Sequence, residues 1–356
     1  MVAVNERGVS TVLDVSLALL LVSASVLVLG LYLQDGDDGL DDLQADRTAE
    51  TLAATTMSVQ YDLSDVENSD RFAPPELTSA NTYDRAEYGP STGLLADAAV
   101  TNVRIDDDRL LAYGDEYEDA VDASIGSALV GANHHTYTVA VWEPYENATV
   151  RGEATAGDRS PPDEDVGSVT MTVSSGMAGL DDETIRNAYE DGGDREEGIA
   201  LVAELIAEQL VESYFDPEAS QHALESQGIE RSLKVYHYQE TAAAANVEFD
   251  DPGDEETPLS RTGANATTAN ERLVYGNEEQ DVLLEDLWEW ITDDGDAPSG
   301  LAAVIADDIR NGALVDEIDA IDAEYDSEAA DERVGELLVE SITLDELTIT
   351  VQTWEP

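Results

Sequence analysis

The chain runs to 356 residues and sets 80 acidic side chains against 16 basic ones, a formal net charge of −64. A hydrophobic fraction of 42% belongs to a globular protein rather than an acidic disordered one, while the charge opposes direct nucleic-acid binding. With no cysteine, disulfides, thiolate catalysis and cysteine–zinc sites are excluded.

From the N-terminus, Met1–Gly8 forms a short polar leader and Val9–Leu33 an apolar run whose only charge is Asp14. As a helix rising about 1.5 Å per residue, that run is long enough to cross about 30 Å of hydrocarbon. A cleaved secretory signal is the competing reading, but its apolar region is normally about 7–15 residues, and no A-x-A site follows here. The run is apolar on every face, unlike an ordinary surface helix. Arg7 precedes it and favours a cytoplasmic N-terminus. The expected fold class is therefore α+β: an N-terminal transmembrane helix (9–33), then a mixed helix/strand extracellular domain. A stalk helix is expected over 34–60 and an acidic α+β ectodomain over 61–356.

Arg7-Gly8-Val9-Ser10-Thr11-Val12 followed by the apolar run resembles the class III signal of archaeal type IV pilins and pilin-like proteins. The resemblance covers about 25 residues. It implies a cut by a prepilin peptidase between Gly8 and Val9 that leaves the apolar segment in the mature protein. It also implies partners: other pilin-like subunits and a membrane assembly platform. Asp14 departs from the apolar pattern and is a candidate assembly contact, either for a neighbouring subunit's free N-terminus or for the headgroup region. The ectodomain is far larger than that of a typical major pilin, which points to an accessory subunit. Lys234 is the only lysine, and an acidic, lysine-poor chain of normal apolar content resembles proteins of halophilic archaea.

Beyond the stalk, Ser64–Gly93 reads as loop, Ala96–Ile105 as a strand and Leu110–Leu129 as an amphipathic helix. Tyr137–Pro144 alternates as a strand, Val150–Asp165 is turn-rich, and Ser168–Ser174 alternates again. A helix is expected from Asp181, a stronger one over Glu197–Tyr214, and a short one after Pro217 to about Gln227. Ser232–Gln239 alternates like a strand, and Asp250–Ala269 is an acidic loop. Further helices fall at Ala269–Thr292, Ser299–Ile309 and Asp331–Ser341, with residues 269–330 as a possible helical insertion. The chain closes on a strand, Leu344–Trp354. Tyr137–Pro144 and Ile349–Pro356 share T-V-x-x-W-E-P, suggesting related strands paired near the centre of one mixed sheet.

No catalytic constellation emerges. His134-His135 precedes a strand, where neighbours point to opposite faces, a poor metal pair. H-E-x-x-H, G-x-S-x-G, Walker A and G-x-G-x-x-G are all absent. Asp106-Asp107-Asp108 and Asp293-Asp294 read as solvated acidic surface. Two sequons, Asn147-Ala-Thr149 and Asn265-Ala-Thr267, are candidate N-glycosylation sites in expected loops. Neither cofactor nor metal is expected. The functional expectation is a non-enzymatic cell-surface component of a type IV pilus-like or secretion assembly. The alternative is a non-polymerising, membrane-tethered binding or sensing domain.

Overall fold

The computed structural model describes residues 43–355, apart from 76–78, 80, 106–107, 112, 130–133, 163, 250–256, 262 and 277–298. The described residues begin in helix α1 (43–54), followed by a hairpin of β1 (Thr56–Asp62) and β2 (Asp84–Pro90), with a 3-10 turn at Ser64–Asn68 between them. Helix α2 (Ser91–Thr101) follows, then the two-residue strands β3 (Arg104–Ile105) and β4 (Asp108–Arg109), and helix α3 (Gly114–Ala128). Strands β5 (His135–Trp142), β6 (Val150–Gly157) and β7 (Gly167–Ser174) come next. Then come helices α4 (Asp182–Asp191), α5 (Arg195–Tyr214), α6 (Pro217–Glu225), α7 (Ile229–Ala244), α8 (Ala266–Tyr275), α9 (Leu301–Asn311), α10 (Val315–Glu324) and α11 (Ser327–Ser341). Strand β8 (Glu346–Trp354) ends the fold.

The α+β expectation for the domain holds, but the architecture of a transmembrane helix leading into it is corrected. Among the described residues, no helix is long and apolar enough to cross a membrane. The longest, α5, carries glutamates at 196, 197, 204, 208 and 212, so it is an amphipathic helix of a water-exposed domain. Val9–Leu33 itself lies outside the described residues, as do Gly8 and Asp14.

Six strands form one sheet in the order β4-β3-β6-β5-β8-β7, with every pairing antiparallel, so the expected mixed sheet is an antiparallel one. The two T-V-x-x-W-E-P strands, β5 and β8, are neighbours in its middle. Thr138 lies opposite Val351 and Val139 opposite Thr350, so the two motifs are related by a local twofold. Their tryptophans therefore sit at opposite ends of the pair. Trp142 is buried and its indole N–H donates to the Leu344 carbonyl at 2.9 Å; Trp354 stacks on His135 with ring centroids 5.6 Å apart. Both act in packing, as aromatic residues at strand ends commonly do.

One face of the sheet is dressed by α2, which lies across β5 and β6. The approach is close: a Cβ added at Gly152 would stand 2.1 Å from the Ala99 carbonyl oxygen. The inward positions of β6 are accordingly small, namely Gly152, Ala154 and Ala156. The other face stays partly open and threonine-rich, with Thr170 and Thr350 hydroxyls 3.2 Å apart. Beyond the short β3, the free edge of β6 is met by α3. The Glu118 and Asp122 carboxylates accept the backbone N–H of Thr155 and of Gly157, each at 2.7 Å. That pairing blunts an edge otherwise open to strand addition.

The later helices join the same core. α5 packs along α9 and α4, and α4 along α11. The Tyr189 ring of α4 fits where Gly198 of α5 and Gly335 of α11 carry no side chain. Asp308 of α9 ties the β5–β6 turn to the helices, accepting from Tyr145 Oη at 2.9 Å, Thr149 N at 2.9 Å and Thr149 Oγ1 at 2.5 Å. The described parts of the expected insertion 269–330 join the common core: Leu273, Leu301, Ile305 and Ile309 belong to one cluster with Ile349 and Val351.

Several local expectations are corrected. The helix expected to reach about Gln60 ends at 54, because Thr56–Asp62 pairs with β2. Ala96–Ile105 is mostly helical: Leu94, Leu95, Ala96, Ala98 and Ala99 are good helix formers and all are buried. Only Arg104–Ile105 pairs as strand. The turn-rich reading of Val150–Asp165 gives way to β6 over its first half. Ser232–Gln239 is part of helix α7. That helix buries two sides, Leu233 and Tyr236 against one cluster and Val235, Tyr238 and Ala242 against the main core, which mimics strand alternation in sequence.

Candidate functional site

A small second cluster of Leu63, Val66, Phe72, Tyr83, Leu233 and Tyr236 clamps the β1–β2 hairpin region against α7. Between that clamp and the main core lies an open cleft of about 1090 Å³. Its walls come from β1 and β2 (Tyr61, Arg85, Glu87), α2 (Asp97), the start of α3 (Tyr113, Tyr117), the end of α5 (Tyr214) and helices α6 and α7 (His222, Lys234, His237).

Aromatic rings dominate one side. Tyr61 stands 4.9 Å from Tyr117 and 6.5 Å from Tyr113, and Tyr113 stands 5.0 Å from His237 (centroid distances). Burial, with the charges of Tyr113 and Glu87, pushes the Tyr61 phenol up to about 12. Tyr117 is raised further, by burial and by the Asp97 carboxylate, and Tyr113 and Tyr214 are raised chiefly by burial. All four are neutral phenols at ordinary pH. Tyr117 is only 3% exposed, and its hydroxyl lacks a hydrogen-bond partner.

The single lysine of the chain is in this cleft. Lys234 Nζ lies 5.1 Å from the Phe215 ring centroid and donates to the Tyr214 carbonyl at 3.4 Å. Burial lowers its pKa, against the opposing pull of Asp216. His237, one turn along α7, is pushed down to about 3 by burial and then by the Lys234 charge, so its imidazole is neutral. Its Nε2 is buried without a hydrogen-bond partner. Asp97, on the open side, is raised by the protein packed around it and by Glu87. Phenols, a neutral imidazole and one constrained ammonium offer hydrogen bonding and ring faces. The serines of the cleft, Ser175 and Ser213, are committed to the carbonyls of Leu344 and Gln209.

The two sequons and the histidine pair singled out from sequence lie elsewhere. Asn147 is exposed at the tip of the β5–β6 turn with φ 62°, while the Thr149 hydroxyl of its sequon is held by Asp308. Asn265 is exposed too, and its side chain caps α8 by accepting Thr268 N at 3.1 Å. His134 Nε2 sits 3.1 Å from Thr48 Oγ1, and His135 stacks on Trp354, so the histidine pair divides between two separate contacts. Asp106, Asp107, Asp293 and Asp294 lie outside the described residues. Among the described residues, no group of three or more histidines or carboxylates is arranged to hold a metal ion.

Sequence reasoning missed the cleft. The expected stalk helix stops at residue 60, just short of Tyr61, and Lys234–His237 fall in an expected strand, so their convergence is hidden in the sequence. The one available signal was Lys234, a lone lysine in an arginine-only chain. No curated protein and no solved structure matches the chain. A family of unknown function, DUF7284, matches over residues 13–354, and the chain belongs to it.

Proposed function

We propose that the protein is a non-enzymatic cell-surface component of a type IV pilus-like or secretion assembly, acting as an accessory subunit. The observation that carries this reading is Arg7-Gly8 abutting the apolar segment Val9–Leu33, ahead of a strongly acidic remainder of the chain. The family match covers residues 13–354, which takes in most of the apolar segment and leaves Arg7–Val12 outside it. In this reading the protein stands at the cell membrane with its C-terminal domain outside, and Asp14 meets a neighbouring subunit. The partners are other pilin-like subunits, a platform protein and a prepilin peptidase. The exposed Asn147 and Asn265 are the positions open to glycosylation.

Crosslinking in intact cells, followed by purification of the full-length protein, tests the assembly claim. Recovery of pilin-like subunits or a platform protein supports it; a protein extracted alone under crosslinking rejects it. A second reading, a tethered binding domain that never polymerises, is favoured by one observation: the tyrosine-lined cleft, whose walls converge from the hairpin and from α2, α3, α5, α6 and α7.

A further inference from the structure

We propose that the edge of β7 pairs antiparallel with the same strand of a second copy of this chain, about a twofold axis at Met171, so that two six-stranded sheets join into one. The pairing goes beyond the assembly reading and does not rest on it.

The sheet treats its two ends differently. Beyond the short β3, the edge of β6 is met by the Glu118 and Asp122 carboxylates of α3. At the other end β7 pairs along its whole length with β8, and among the described residues no further strand pairs with it. An antiparallel strand paired on one side only turns the other half of its backbone groups outward. Natural edge strands are commonly guarded by a charge, a proline or a bulge. β7 carries none of these: GSVTMTVS holds unbroken register with β8, and no charged residue occurs from Val166 to Leu180. In a chain with 27% charged residues and a net charge of −64, a neutral edge is where two copies approach with least repulsion.

The occupant follows from the strand's own order. Ser168-Val169-Thr170-Met171-Thr172-Val173-Ser174 reads the same in both directions about Met171. In an antiparallel pair of identical strands centred there, Met171 meets its own counterpart, Val169 meets Val173, Thr170 meets Thr172 and Ser168 meets Ser174. Like side chains then face like, and β-branched and Thr–Thr pairs are favourable cross-strand neighbours. The two faces match as well. Val169, Met171 and Val173 are half-buried, lie opposite Val351, Ile349 and Leu347, and pack at the rim of the main core. A second β7 extends that apolar layer. Thr170 and Thr172 are exposed and continue the open threonine face of Thr350 and Thr348. Seven paired residues span about 24 Å of strand. That is small beside the roughly 800 Å² per partner of a standard interface, so the dimer is weak and forms at high protein concentration.

The test is sedimentation velocity of the full-length protein in mild detergent and molar KCl across a concentration series. The dimer fraction is expected to rise with concentration. Thr170→Glu combined with Thr172→Glu sets like charges directly opposite across the twofold, and is expected to weaken dimerisation several-fold. Thr170→Lys combined with Thr172→Glu leaves the net charge unchanged and sets opposite charges across the same twofold. It is expected to dimerise at least as well as the parent. Both pairs of substitutions fall on exposed positions, so circular dichroism should stay unchanged. A monomer at every concentration overturns the proposal, as does a dimer that the two glutamates leave intact. Equal loss in both variants overturns the register centred on Met171. Amide exchange gives a reading that needs no variant. The amides of Gly167–Ser174 are expected to exchange more slowly as the parent is concentrated, and exchange independent of concentration overturns the interface.

Discussion

At the level of single residues, two buried polar groups carry opposite risks. Asp308 accepts from Tyr145 and twice from Thr149, so one carboxylate satisfies three donors between the sheet and α9. Asp308→Ala leaves those donors in a site too closed for easy solvation, and is expected to cost about 2–4 kcal/mol of stability in urea unfolding. An unchanged midpoint would contradict the role assigned to it. His237 titrates the other way. Its imidazole ionises at about 3 in the folded protein against roughly 6.5 when unfolded. Between those values the unfolded chain binds the extra proton. The contribution of neutral His237 is therefore full above about pH 6.5 and lost progressively as pH falls toward 3. His237→Gln should shrink the drop in urea midpoint between about pH 7.5 and pH 5 relative to the parent. An equal drop in both proteins would rule out His237 as its source. Neither residue was legible beforehand: Asp308 is one of 80 acids, and its value comes from where β5 turns, not from its neighbours in sequence.

At the level of elements, sequence patterns succeeded where one face alone is buried. α3, α5, β7 and β8 show one-sided apolar spacing and were legible with small boundary shifts. The capped start at Asp181, whose side chain accepts Thr184 N, was legible as well. Reading failed where packing hid the period. α7 is buried on two sides, and after Val150 β6 turns only Gly152, Ala154 and Ala156 inward, residues too small to register as strand formers. Those small residues answer α2. Gly152→Ala drives a Cβ into the Ala99 carbonyl, and is expected to cost about 1–3 kcal/mol, read as a lowered thermal midpoint. A midpoint equal to the parent's would show that α2 can retreat from β6 and that the close approach is not required. The pairing of the two T-V-x-x-W-E-P strands was visible from the repeat, because both central strands share a register constraint that sequence similarity preserves.

At the level of the whole molecule, charge governs. The described ion pairs, among them Arg195 with Asp322 and Asp331, engage only a few of the carboxylates. A net charge of −64 repels itself across the surface, and screening shortens from about 10 Å at 0.1 M to 3 Å at 1 M salt. Thermal unfolding followed by circular dichroism should therefore move to higher temperature from millimolar to molar KCl. A midpoint independent of salt would refute this. That expectation rests on composition alone, whereas the cleft needed the fold, since its walls come from residues 61 to 237. The central claim, membership of a pilus-like surface assembly, depends on how the N-terminus is processed. Mass spectrometry of the protein purified from its native cells addresses that directly. Cleavage by a prepilin peptidase gives a mature chain beginning at Val9, and a Gly8 variant with a bulky side chain keeps its leader. Peptides joining Met1–Gly8 to Val9 in the dominant mature species would contradict it.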